Sequence, residues 1–213
     1  VGFAPVTIRA VLFDIDGVLM DSREANVAWY RDFLAGHGYT DLPREDLERG
    51  HYYSLREAIA FLTKAPEQEV LAILDVARDL GGYPYHLVKL PEACEKVLDA
   101  LRKTYSIGLV SSRIREGIDQ FFDFSGLRDR FEVVVGYEDS EGHKPHPDPL
   151  LVACSRLGVE PHQAVYIGDA PTDFACAAAA GAHFIAFGDA IPEAQHQTNS
   201  FRALESILST LDL

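Results

Sequence analysis

Two aspartates stand two residues apart in Phe13-Asp14-Ile15-Asp16-Gly17-Val18-Leu19. If the strand before them continues, both carboxylates face the same way. Like charges that close are costly unless a cation neutralises them or one side chain takes a proton. Carboxylate and carbonyl oxygens suit a hard divalent ion such as Mg²⁺, and Gly17 permits the sharp exit of a turn. A solvated acidic turn would carry the same residues. In Leu109-Val110-Ser111-Ser112, hydroxyls follow another apolar run, where they can join backbone N–H groups around an anion or simply cap a helix. Lys144, the last lysine of the chain, lies in Gly142-His143-Lys144-Pro145-His146-Pro147-Asp148-Pro149. The prolines stiffen that segment, and a pinned ammonium is a compact charge for phosphate; an exposed loop lysine is the plainer alternative. His143 and His146 read as surface residues, because hard-ion sites favour oxygen. Finally, Gly168-Asp169-Ala170-Pro171-Thr172-Asp173 sets two carboxylates four residues apart. They could bind a metal, brace Lys144 or serve as a helix-capping pair.

Each of these segments follows a short apolar run that reads as a strand. The runs are 8–13, 106–110, 131–135, 164–167 and 183–187. Helical patterns at 116–124, 149–157 and 173–180 separate the later ones. This alternation predicts a mostly parallel sheet covered by helices, and ligands of such sheets bind beyond the carboxyl ends of the strands. Residues from about 21 to 85 carry no convincing strand. Asp21 and Glu24 are spaced to form a capping box for a helix ending before Gly36. Ser54 and Glu57 form a clearer one, ahead of Leu55, Ile59 and Leu62. Pro66 opens another helix, which Gly81-Gly82 stops after Leu80, and Pro91 opens a further one. The expected layout is an α/β core, residues 1–20 and 86–213, interrupted by a small helical domain at 21–85. The connections fall near Leu19–Arg23 and Gly82–Leu90.

The chain has 213 residues, 19 basic and 33 acidic, for a net charge of −14. So acidic a chain repels nucleic acid and anionic membranes, and no basic block relieves it. No apolar stretch is long enough to span a bilayer, and the first ten residues lack the pattern of a secretory signal. They also lack Met, which points to trimming. Cys94, Cys154 and Cys176 are few, odd in number and far apart, as expected of buried thiols in a reducing cytoplasm.

Taken together and in this order, Asp-Ile-Asp-Gly-Val-Leu, Ser111, Lys144 before proline and Gly-Asp-x-x-x-Asp resemble the haloacid dehalogenase superfamily over almost the whole chain. The helical insert resembles that family's C1-type cap. The resemblance implies a Rossmann-like three-layer core and an enzyme like the phosphoglycolate phosphatases and β-phosphoglucomutase. It implies Asp14 as nucleophile, forming an aspartyl-phosphate. Asp16 would be the general acid and then the base. Mg²⁺ would be held by Asp14, the Asp16 main-chain carbonyl and Asp169. Ser111, with Ser112 beside it, and Lys144 would bind the phosphoryl group, supported by Asp173. Asp16 favours phosphoryl transfer, since dehalogenases of the superfamily usually lack that aspartate. Ala170 departs from the hydroxyl or acidic residue common there. Arg49, His51, Tyr52 and Tyr53 are candidate cap contacts to the substrate, or ordinary cap surface and packing. Trp29 and Phe33 are expected in the cap core. The leading expectation is a Mg²⁺-dependent phosphatase of a small phosphomonoester, of the phosphoglycolate, sugar phosphate or nucleotide class, so the implied partner is a small phosphorylated metabolite and the chain a monomer or homodimer. The alternative is a phosphomutase resembling β-phosphoglucomutase. A phosphorylated receiver module fits poorly, because its aspartate lies on a later strand and it has no cap.

Overall fold

The computed structural model describes residues 7–77, 82–188 and 191–211. Its strands are β1 (Ala10–Phe13), β2 (Ser106–Val110), β3 (Val133–Val135), β4 (Ala164–Gly168), β5 (His183–Phe187) and β6 (His196–Thr198). All pair in parallel in the order β3-β2-β1-β4-β5-β6. The chain grows outward from β1 to one edge, crosses over, and grows outward again from β4. Strand order therefore reverses between β1 and β4, the place where open sheets leave a crevice at their carboxyl ends.

The strands form from short apolar runs because both faces are covered. Alternate side chains of β1 serve opposite layers. Val11 and Phe13 join a cluster with α5 (Cys94–Leu101), α6 (Arg115–Ser125) and α9 (Phe201–Leu211). Ala10 and Leu12 join another with α7 (Asp148–Leu157) and α8 (Pro171–Ala180). The three cysteines are free and buried, Cys94 in the first layer and Cys154 and Cys176 in the second.

The remaining helices, α1 (Arg23–Ala35), α2 (Arg44–Gly50), α3 (Leu55–Thr63) and α4 (Glu67–Ala77), bury a third cluster that includes Trp29, Leu34, Ile59, Leu62 and Ile73. Phe33 packs at its margin, stacked on Trp29 at 4.7 Å. The expected capping box opens α3: Ser54 N–H donates to Glu57 at 3.0 Å, and Glu57 N–H donates to Ser54 Oγ at 3.4 Å. Leu80 and Gly81, the expected end of α4, lie outside the described residues.

Several expectations are corrected. The Asp21–Glu24 box does not form; Asp21 exchanges backbone hydrogen bonds with Lys89 at 2.8 and 3.2 Å, and Ser22 precedes α1 with its hydroxyl directed elsewhere. The helix expected from Pro91 starts at Cys94, because Ala93 sits in the left-handed region at φ 63°. β1 and β3 begin two residues later than the apolar runs that contain them. The patterns listed above include no counterpart of α2, β6 or α9. No described helix is long and apolar enough to cross a membrane.

Candidate active site

The carboxyl ends of β1, β2 and β4 meet at the switch point. Asp14 immediately follows β1, and its N–H donates to Ile167 O of β4 at 3.0 Å, so the ladder holds the residue at the sheet's rim. Asp169 follows β4. Gly17 turns the chain away at φ +73°, and a Cβ there would fall 1.9 Å from Asp169 Oδ2. Only glycine lets the two loops approach so closely. Gly168 does the same for Asp173, whose Cβ would lie 2.5 Å from an added methyl. Ser111 follows β2, where its N–H donates to Val135 O and its hydroxyl accepts the Arg113 N–H at 3.2 Å.

Asp173 is fully buried at the start of α8 and makes four hydrogen bonds. Its Oδ1 accepts from Lys144 Nζ at 2.7 Å and Tyr166 OH at 3.2 Å. Its Oδ2 accepts the N–H groups of Asp169 and Ala170 at 3.2 and 3.0 Å. Lys144 also donates to Tyr166 OH at 3.0 Å and lies 3.2 Å from Asp14 Oδ1. Burial opposes the Lys144 charge, but Asp14 and Asp173 outweigh it and push its pKa up, so the ammonium stays charged.

Asp14 is in the opposite position. Burial raises its pKa well above the carboxylate range; Lys144 opposes this, while Asp173, Asp169 and Asp16 add to it. Although Lys144 is within ion-pair distance, Asp14 Oδ1 is buried without an aligned hydrogen bond. Asp169 is likewise raised, chiefly by burial. Asp14, Asp169 and Asp173 each offer an oxygen within 4.8 Å of the others. Asp173 is already saturated, which leaves Asp14 and Asp169 with capacity for a cation. The Asp16 carbonyl accepts no backbone hydrogen bond among the described residues. These groups fit a hard divalent ion: an orphaned buried oxygen and two desolvated carboxylates are what such an ion would satisfy.

The Asp16 side chain is directed away from this group. Arg113 forks over it, Nε to Oδ2 at 2.6 Å and Nη2 to Oδ1 at 2.8 Å, and Ser22 Oγ donates to Oδ1. Burial would raise the Asp16 pKa, yet Arg113 prevails and holds the carboxyl well below its usual range. Arg113 Nη2 also donates to Tyr83 OH at 3.2 Å. Tyr83 in turn donates to Asn26 Oδ1 at 2.6 Å, and Asn26 Nδ2 lies 2.9 Å from His51 Nδ1. His51 Nε2 is 3.7 Å from Asp169 Oδ2. A buried polar chain thus runs from the helical insert to both sides of the rim.

Asp14, Asp16, Ser111, Ser112, Lys144, Asp169 and Asp173 line one cavity of about 80 Å³, together with His51, Tyr52 and Tyr53 of the insert. Arg49 does not line it. Its exposed guanidinium pairs with Asp46 at 3.8 Å and sits over the Phe61 ring at 4.7 Å. His143 stacks on Tyr137 at 3.8 Å, and His146 lies 3.1 Å from the Asp148 carboxylate; neither lines the cavity. Sequence reasoning passed over Arg113, Tyr83, Asn26, Ser22 and Tyr166. Arg113 directly follows the serine pair, so position alone was a signal for it. Trp29, expected in the insert's core, is there and also lines the cavity.

A family model described as haloacid dehalogenase-like hydrolase matches residues 11–187. The pyrophosphatase PpaX of Bacillus pumilus is 30% identical over 179 residues, covering 82% of this chain and 81% of that protein. A haloacid dehalogenase-like hydrolase structure from Bacteroides fragilis is 28% identical with a TM-score of 0.84, covering 93% of this chain and 100% of that one. β-Phosphoglucomutase from Clostridium difficile, at 20% identity, shares the fold with a TM-score of 0.79, covering 97% and 98%.

Proposed function

The chain belongs to the haloacid dehalogenase-like hydrolases and is a phosphatase; we propose that it is a Mg²⁺-dependent one, hydrolysing a small phosphomonoester through a phosphorylated Asp14. The observation carrying this reading is the buried Asp14 Oδ1, which has no aligned hydrogen bond and lies 3.2 Å from the Lys144 ammonium, on a carboxylate grouped with that of Asp169. The sequence identity to a pyrophosphatase supports a substrate whose leaving half is small.

Asp14 is the nucleophile. A carboxylate oxygen bonds to phosphorus as the bond to the leaving oxygen breaks. Lys144 and the Ser111 hydroxyl hold the phosphoryl oxygens and oppose the charge that builds on them. Asp173 and Tyr166 keep the ammonium aimed, as their 2.7 and 3.0 Å contacts indicate. In the first step Asp16 in its protonated form gives its proton to the leaving alcohol oxygen; in the second, water attacks the phosphorus and passes a proton to Asp16 as the P–O bond to Asp14 breaks, freeing phosphate and the Asp14 carboxylate. The Arg113 pair holds Asp16 in the base form in this conformation. Asp14, the Asp16 carbonyl and Asp169 would hold Mg²⁺, which when bound supplies positive charge beside the attacking carboxylate. The helical segment 21–85 acts as the cap. It contributes His51, Tyr52 and Tyr53 to the cavity wall, and its closure would keep water from the reacting group.

The test is phosphate release from a panel of phosphorylated metabolites, with and without MgCl₂. Release should require Mg²⁺ and vanish in Asp14→Asn. Undiminished release by that variant would overturn the assignment of the nucleophile.

A further inference from the structure

The buried polar chain between the two flanks of the rim has a direction. It starts at Arg113, whose guanidinium donates and never accepts. Arg113 Nη2 donates to Tyr83 OH at 3.2 Å, so the tyrosine hydroxyl gives its own proton onward, to Asn26 Oδ1 at 2.6 Å. That contact fixes which way the Asn26 amide faces. Its Nδ2 is left towards His51 Nδ1, 2.9 Å away, and an amide nitrogen only donates. His51 Nδ1 is therefore an acceptor, and the proton of the neutral ring sits on Nε2.

The far end of the ring faces the other flank, where Asp169 Oδ2 lies 3.7 Å from Nε2. The His51 side chain is only 2% exposed, so bulk water does not compete for that N–H. Oδ2 is also the Asp169 atom nearest to Gly17. Asp169 and His51 line a second cavity as well, of about 360 Å³, shared with Asp21, Arg23 and Glu24. Without the imidazole, the carboxylate would be open to that space and its water. At 3.7 Å the contact is longer than a hydrogen bond, and a further approach of about 0.7 Å would make it one. Asn26 and His51 belong to the helical segment and Asp169 to the end of β4. Closure of the cap is the motion that brings them together.

We propose that His51 is a positioning residue for Asp169, delivered by the cap as the Nε2–H tautomer and donating to Oδ2 when the cap closes. One Asp169 oxygen is then held by the imidazole and the other is left for a cation. A donor on the outer oxygen fixes the orientation of a ligating carboxylate, and loss of such a partner costs about 10- to 100-fold in metal affinity. This gives His51 a task other than the substrate contact its sequence position suggested. The chain also ties that task to Arg113, the residue that holds Asp16, so one closed conformation sets both flanks of the site. The inference rests on the reading of Asp169 as a Mg²⁺ ligand and goes beyond it.

The first test needs no metal. A ¹⁵N imidazole spectrum is recorded on the metal-free protein at about pH 8, where imidazole is ordinarily neutral. The His51 signals are those missing from His51→Gln. Nε2 should carry the proton and Nδ1 should show the shift of an acceptor; a proton on Nδ1 would overturn the proposal. The second test measures Mg²⁺ affinity by calorimetry on wild type, His51→Asn and His51→Gln. The Asn amide ends near the place of Nδ1 and stops short of Asp169, whereas the Gln amide ends near the place of Nε2. His51→Asn should bind Mg²⁺ about 10- to 100-fold more weakly, and His51→Gln should restore part of the loss. In phosphate release His51→Asn should need correspondingly more Mg²⁺, while its substrate KM at saturating Mg²⁺ stays near that of wild type. Unchanged Mg²⁺ affinity in His51→Asn, equal losses in both variants, or a raised substrate KM as the sole effect would overturn the proposal and leave the phosphatase reading standing. Failure of that reading looks different: wild type neither binds Mg²⁺ nor needs it. The wild-type spectrum stands as a test whether or not the variants fold.

Discussion

Replacing Gly17 by alanine tests whether close approach of two loops sets the site. The new Cβ would fall 1.9 Å from Asp169 Oδ2, 2.3 Å from its Cγ and 2.9 Å from its Cβ. To regain even a 3.0 Å approach, the carboxylate must retreat by about 1.1 Å. A misplacement of that size costs on the order of 100-fold in rate. The backbone adds its own penalty, because φ is +73° and an L side chain in that region costs about 1–2 kcal/mol. Gly126 supplies the control. Its φ is +69°, it caps α6, and a Cβ there meets nothing within 4 Å. Gly126→Ala should lower stability by a similar 1–2 kcal/mol and leave phosphate release unchanged. Gly17→Ala should lose at least that much in thermal unfolding and also lose about 100-fold in kcat/KM, with weakened Mg²⁺ affinity by calorimetry. Wild-type activity in Gly17→Ala, or an equal loss in Gly126→Ala, would refute the reasoning.

Lys144→Met should abolish phosphate release and destabilise the fold by about 3–5 kcal/mol, because it strips the counter-charge from Asp173 and Asp14 in a buried setting; thermal unfolding and phosphate release check the two halves. Metal linkage provides a pH test. Asp14 and Asp169 have pKa values raised by burial, so above the unfolded carboxylate pKa the folded chain holds protons that the unfolded chain has lost. Stability without metal therefore falls as pH rises through that window. Mg²⁺ binds the ionised forms, so its stabilising shift in Tm should be larger at pH 8 than at pH 5. A shift independent of pH would contradict these assignments.

The parts of the fold legible in the sequence were those with dense apolar signals. β2 and β5 occupy the expected residues, because Ser-Ile-Gly-Leu-Val and His-Phe-Ile-Ala-Phe are continuous runs flanked by polar breaks. β6 has no such signal. His-Gln-Thr is a strand only because the edge of β5 offers it backbone partners. α2 has a single buried large apolar residue, Leu47, and its helical spacing cannot be read from that. α9 went unread although Phe201, Leu204 and Leu208 lie at helical spacing on one face. In the site, each segment carrying a strand-end motif reached the same rim. What stayed hidden were contacts between distant residues. Asp16 and Arg113 are 97 positions apart, and Tyr83 meets Asn26 across 57. The Asp21–Glu24 spacing misled because a capping pattern is purely local. It carries no information about a backbone bridge to Lys89 or about Asp16 claiming the Ser22 hydroxyl.

The sheet finishes at each flank in a strand of three residues, Val133–Val135 on one side and His196–Thr198 on the other. A foreign chain seeking a template to extend finds a ledge too short to grip, and on the second flank one made of polar side chains. The longest and most apolar strands, whose exposed backbone would invite fibril-like stacking, lie between neighbours that have already satisfied them. A parallel, hydrophobic sheet thus presents little unpaired backbone at either flank.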